Sequence, residues 1–198
     1  MMTFAALAAP QAAFADAPTG VPEAAAVSSM PMTVGGYDAD IAEANGYQIV
    51  TNPDGSQSSV PITEDAKAQQ AAAEAAKAEY YQDQNTNDGM APLGVVDGNC
   101  GSSWINATKQ ANDTVAYQTG YVVWGAVVDS QWDVVATGFI SGSSVRLYPI
   151  PNSGTWATEG ALYNVIGPGI ANVTIATSFA VLASGQVCYS GGPSAAFG

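Results

Sequence analysis

The chain has 198 residues, with 17 Asp and Glu against 4 Lys and Arg, two cysteines and no histidine. A formal charge of −13 excludes recognition of nucleic acid or anionic lipid through charge, because both need clustered cations. Without histidine there is no Ser-His-Asp or Cys-His catalysis, no histidine metal ligand and no imidazole proton shuttle.

Residues 1–15 read as a secretory signal peptide. Met1 to Phe14 are apolar or small apart from Thr3 and Gln11, and Ala13-Phe14-Ala15 matches a small-x-small cleavage box. Cleavage is expected after Ala15. The first positive charge is Lys67, so the basic n-region that such a peptide needs is expected upstream of Met1. The expected location is therefore secreted and extracellular. Cys100 and Cys188 lie near the two ends of the main folded region and are expected to pair as a clasp, as exported proteins allow. The longest later apolar run, Tyr121 to Val128, falls far short of the roughly 18 residues of a spanning helix, so the mature chain is expected to hold no integral membrane segment.

Residues 16–45 are rich in Ala, Pro, Ser and Gly without an apolar period, and are expected to be disordered. Residues 46–62 read as a β-hairpin. In Asn52-Pro53-Asp54-Gly55, Pro supplies a fixed φ and Gly a left-handed residue that completes a three-residue loop. Residues 63–82 read as an Ala-rich spacer helix, with Thr63 as N-cap and Glu64 and Asp65 in the first turn. No stripe of large apolar side chains runs along it.

Residues 83–92 read as a linker. Asp83, Asn85 and Asn87 imitate the first half of a calcium loop, but Asp88 stands where Gly is needed and Gly94 where a bidentate acid is needed. No metal site and no cofactor is expected.

Residues 93–198 switch to period two with β-branched and aromatic enrichment. Strands are expected near 103–107, 114–118, 121–129, 132–140, 143–149, 173–183 and 186–190, with 161–166 ambiguous and a turn at Asp129-Ser130-Gln131. Six to eight short strands at this spacing point to an all-β domain, a β-sandwich clasped by its disulfide. Alternation places Trp132, Val134, Ala136, Ile140, Val173, Ile175, Phe179 and Val181 inward, and Ser178, Ala180, Arg146 and Tyr148 outward.

Chemistry is scarce in this domain. No serine sits in a nucleophile elbow; Asp129 and Asp133 read as turn and edge acids and Glu159 as an acid in a Gly-bounded loop, rather than a glycosidase pair. The sequons at Asn106, Asn112 and Asn172 read as surface Asn at strand ends. Of the four tryptophans, Trp124 and Trp132 are placed in the core between sheets. Trp156, in a Gly-flanked loop, and Tyr148 are left as candidate binding residues; Trp156 acts either as a lid on the core or as a platform for a partner.

A signal peptide, an acidic spacer and a clasped β domain together resemble bacterial exported proteins of uncharacterised role. Between Cys100 and Cys188 the layout is similar to small cellulose- and chitin-binding β-sandwich modules, in which a disulfide joins the two ends. That resemblance implies a binding module but transfers no site residue. The expected function is a non-catalytic exported interaction or surface-associated protein, the alternative being a carbohydrate-binding module for an extracellular polysaccharide. Its partner would be an extracellular protein or glycan.

Overall fold

The structure, a computed structural model, describes residues 27–86 and 98–198, and the side chains of all of these except 83–86. The expected signal peptide, its cleavage site and the calcium-like stretch from residue 87 lie outside the described residues. The elements in chain order are β1 (Ser28–Tyr37), α1 (Ala39–Ala44), β2 (Tyr47–Thr51), β3 (Gln57–Pro61), α2 (Glu64–Thr86), β4 (Gly101–Gln110) and β5 (Thr114–Val123). There follow β6 (Val127–Gly138), β7 (Gly142–Leu147), β8 (Thr155–Leu162), β9 (Gly169–Val173), β10 (Phe179–Leu182), β11 (Gln186–Ser190) and β12 (Ser194–Phe197).

The main body is all-β. Ten antiparallel strands run in the order β12-β9-β6-β10-β11-β1-β4-β5-β8, with β7 on the other side of β6. Strand β6 belongs to two layers. Its first half pairs with β10, from Leu182 opposite Val127 to Phe179 opposite Gln131. Its second half, from Trp132 onward, pairs with β7 and β9. The sheet thereby folds over itself as a sandwich, β7-β6-β9-β12 lying over the longer layer and β12 passing close to β4. Between the layers Met32, Ile105, Tyr121, Trp132 and Leu182 are fully buried.

The expected disorder over 16–45 does not hold where the chain is described. Strand β1 lies inside the sheet, pairing Met32 to Val34 with Ser190 to Cys188 on one side and Ser28 to Met32 with Ile105 to Gly101 on the other. Its own sequence is weakly patterned and contains Pro31; two neighbouring strands order it, the tertiary override expected of strand propensity. The β domain therefore starts well before residue 93. Helix α1 follows, its N-cap Asp38 accepting a hydrogen bond from the Ile41 N–H at 3.0 Å.

Cys100 and Cys188 form the disulfide, with Cα atoms 5.8 Å apart and both residues buried. Cys188 stands opposite Val34 in β11, and the Cys100 N–H donates to the Met32 carbonyl at 3.2 Å. The bridge therefore joins the two strands that flank β1. Such a buried bridge fits an oxidising compartment.

The hairpin forms as expected between β2 and β3. The Gly55 N–H donates to Asn52 O at 2.9 Å, the Asn52 N–H donates to Ser56 O at 2.8 Å, and Gly55 takes φ +83°. Thr63 caps α2, its Oγ1 accepting from the Ala66 N–H at 3.2 Å. The helix is no free spacer, however. At its start Ala66 packs with Ala42 and Tyr47, whose hydroxyl donates to Ala66 O at 2.9 Å. Toward its end the rings of Tyr80 and Tyr81 meet Trp124 at 5.1 and 5.7 Å, and the Lys77 ammonium stands 5.6 Å from the Trp124 ring centre. Trp124 is thus half-buried under α2 rather than between sheets. A cleft of about 220 Å³ remains between helix and body.

Several strand boundaries differ from expectation. The run Tyr121–Asp129 is broken at Trp124-Gly125-Ala126, and the expected turn at Asp129-Ser130-Gln131 lies inside β6. Its polar side chains are satisfied there: Ser130 Oγ donates to Pro149 O at 3.1 Å and Gln131 Nε2 to Thr177 O at 2.9 Å. The run 173–183 splits into β9 and β10 around a turn closed by the Ser178 N–H to Thr174 O bond. That extra turn changes the facing, so Ser178 and Ala180 are buried and Ile175 is exposed. Ile140 also points to solvent. Strand β12, unforeseen, buries Ala195 and Phe197.

Candidate functional site

Alternation on three neighbouring strands assembles an outward face. Along β4 the inward side chains Ser103, Ile105 and Ala107 are buried, which sends Trp104, Asn106 and Thr108 to the other side. Along β5 the inward residues Val115, Tyr117, Thr119 and Tyr121 leave Ala116, Gln118, Gly120 and Val122 outward. Edge strand β8 contributes Thr155, Ala157, Glu159 and Ala161.

The register arranges these residues in rows. Trp104 stands opposite Gly120, which stands opposite Ala157. The next row is Asn106, Gln118 and Glu159, and the one after it Thr108, Ala116 and Ala161. Small residues beside Trp104 allow its indole to lie on the sheet. A Cβ at position 120 would come within 3.0 Å of Trp104 Cε2 and 2.3 Å of the Trp156 carbonyl oxygen, so only glycine fits there. Thr119 fixes the strand from beneath, its Oγ1 donating to Trp104 O at 2.8 Å and accepting from Trp132 Nε1 at 3.0 Å.

The result is one half-buried tryptophan followed by a row of two amides and a carboxylate. Two shallow depressions meet there and share Gln118 and Glu159: one of about 310 Å³ beside Trp104 and Ala157, and one of about 700 Å³ beside Asn106, Thr108 and Ala116. Gln118 and Glu159 are exposed, while the buried Asn106 Oδ1 has no hydrogen-bond partner among the described residues. A buried acceptor without a donor is costly, and a ligand hydroxyl could satisfy it after a side-chain turn.

Neither residue singled out from the sequence belongs to this face. Trp156 lies on β8, not in an exposed loop, and its ring is half-buried between the layers, 5.5 Å from Tyr121 and 6.0 Å from Trp132. That is the lid arrangement. Trp156→Ala is expected to lower stability by about 2–3 kcal/mol, below a full core truncation, and to leave binding at the outer face unchanged. Urea unfolding of the variant measures the first effect. Tyr148 is exposed as expected, but it stands beyond the end of β7 next to Arg146, on the other layer.

The acids considered for catalysis are not brought together as a pair. Asp133 accepts two hydrogen bonds from Arg146, at 2.7 and 2.8 Å, across the β6–β7 ladder. That bidentate contact holds its carboxyl below the usual carboxylate range despite partial burial. Asp129 uses one oxygen to accept from the Ser130 N–H. Of the sequons, Asn106 and Asn172 lie within strands and Asn112 in the β4–β5 turn at φ +57°. Among the described residues no group of three metal-ligating side chains occurs, and no helix is long and apolar enough to cross a membrane.

Trp104 carried a usable signal. It is the one aromatic set against the alternation of Ile105 and Ala107, although the glycine and alanine opposite it are recognised only once three strands are in register. Comparison with protein-family models, with curated proteins and with solved structures returns no match for this chain.

Proposed function

We propose that this protein is a non-catalytic, exported binding module that holds a neutral extracellular polysaccharide on the outer face of β4, β5 and β8. The observation that carries the reading is the half-buried Trp104 packed against Gly120, followed by the row Asn106, Gln118 and Glu159. A pyranose ring offers a patch of C–H bonds to an indole face and hydroxyls at its rim. Two amides both donate and accept, and a carboxylate accepts, which matches that rim. Glu159 and the charge of −13 oppose an anionic glycan. Export is supported by the apolar start of the chain and by the buried disulfide.

Sedimentation with insoluble neutral polysaccharides, cellulose and chitin among them, tests the reading. The wild-type chain is expected to be retained by at least one of them, and Trp104→Ala to weaken retention at least about tenfold, or 1.4 kcal/mol. Gln118→Ala, at an exposed position, is expected to weaken retention with an unchanged thermal melt. Retention by none of the polymers, or equal retention of all three proteins, would overturn the proposal.

A further inference from the structure

We infer that the end of the sandwich formed by the β6–β7 turn and the β8–β9 loop is a docking tip for an uncharged, zwitterionic phospholipid surface. Phe139 is 86% and Ile140 71% exposed, and Ile170 and Ile166 beside them are 53% and 37% exposed. With side chains of about 150–200 Å² each, the four present on the order of 450 Å² of apolar surface, comparable to the largest patch on a typical monomer and commonly functional.

The two loops hold this patch in a fixed arrangement. The Phe139 N–H donates to Pro168 O at 3.0 Å, the Ile140 N–H to Ile166 O at 3.2 Å and the Gly138 N–H to Ser141 O at 2.9 Å. Ser141 Oγ donates to Asn164 O and accepts from the Ile166 N–H at 3.0 Å. Four backbone N–H groups at the tip are therefore paired within the protein, which lowers the cost of entering an apolar medium. At the base of the tip Lys109 is used internally, donating to Val165 O and facing Asp113 at 3.9 Å.

Charge and area select the occupant. Strand β6, twelve residues long, starts beside Leu182 at the cleft under α2 and ends at the tip. The helix charge does not oppose approach to an uncharged surface, and no cluster of cations among the described residues attracts an anionic one. A second copy fits less well. Two such tips face to face would bury about 900 Å², short of the roughly 1,200 Å² where stable interfaces begin. A bilayer interface needs no matching shape.

Flotation of the full chain with vesicles of phosphatidylcholine alone tests this. Wild type is expected to float with the lipid, and the double variant Phe139→Ser/Ile140→Ser to float at least about tenfold less, with an unchanged melt because both positions are exposed. Adding phosphatidylserine is expected not to raise flotation, because no cluster of cations among the described residues faces the lipid. Trp104→Ala should float like wild type, which separates this tip from the glycan face. Failure of the wild type to float, equal flotation of the double variant, or a dimer in sedimentation that the double substitution dissociates would overturn the proposal.

Discussion

Reduction of the Cys100–Cys188 bridge is expected to lower stability by about 4–5 kcal/mol, because the bond closes a loop of 88 residues in the unfolded chain. For a domain of this size the loss corresponds to a fall in melting temperature of roughly 10–20 °C. The position of the bridge adds a local consequence. It joins β11 to the start of β4 across β1, the strand whose sequence is least committed to being a strand. Amide exchange in Ser28–Tyr37 should therefore accelerate more than exchange in the β4–β5 pair. Thermal melts and exchange with and without reductant, with thiol labelling to show that the bond is open, measure both effects. An unchanged midpoint in fully reduced protein would contradict this role for the bridge.

Trp132→Ala is expected to cost about 3–5 kcal/mol, the range of full aromatic truncations in a core. Trp132 is completely buried where β6 passes between the two layers, and its ring touches the aromatic group that includes Tyr121 at 5.3 Å and Trp156 at 6.0 Å. Truncation also removes the Nε1–H that donates to Thr119 Oγ1 at 3.0 Å. Trp132→Phe retains much of the volume but loses that bond, and should cost only about 1–2 kcal/mol. Because Trp132 and Trp156 are in contact, their alanine variants are expected not to add. Urea unfolding of the two single variants and the double variant gives the values. A greater cost for Trp156→Ala than for Trp132→Ala would reverse the packing order described above.

Much of the fold was legible because its signals are local. The sequence Asn52-Pro53-Asp54-Gly55 specifies its turn through φ alone, and Thr63 caps its helix with one hydroxyl. Period two in the C-terminal half identified an all-β body, and two cysteines in a chain expected to be exported left one pairing. What was not legible depends on distant partners. Ser28–Tyr37, with Pro31 and two glycines, has no periodicity of its own and becomes a strand because β4 and β11 hydrogen-bond it from both sides. The polar run Asp129-Ser130-Gln131 resembles a turn until Pro149 and Thr177 supply acceptors for its side chains.

The site followed the same division. Trp156 looks exposed in the sequence because its neighbours are Gly, Ser and Thr, yet β8 turns its ring onto Tyr121. Trp104 sits among ordinary strand residues, and only the register with Gly120 and Ala157 reveals the small residues beside its indole. Helix α2 lacks an apolar stripe, so its attachment through Ala66 at one end and Tyr80 and Tyr81 at the other had no periodic signal.

The most direct test of the glycan face is a titration of the isotope-labelled chain with a soluble oligosaccharide of whichever polysaccharide retains it. The four tryptophans supply four indole N–H resonances, one on the outer face and three at packed positions. The Trp104 resonance is expected to move with ligand concentration while those of Trp132 and Trp156 stay in place, and Trp104→Phe should remove the moving signal. Movement at Trp124 or Trp156 with Trp104 unchanged would place the ligand elsewhere and contradict the assignment of β4, β5 and β8 as the binding face.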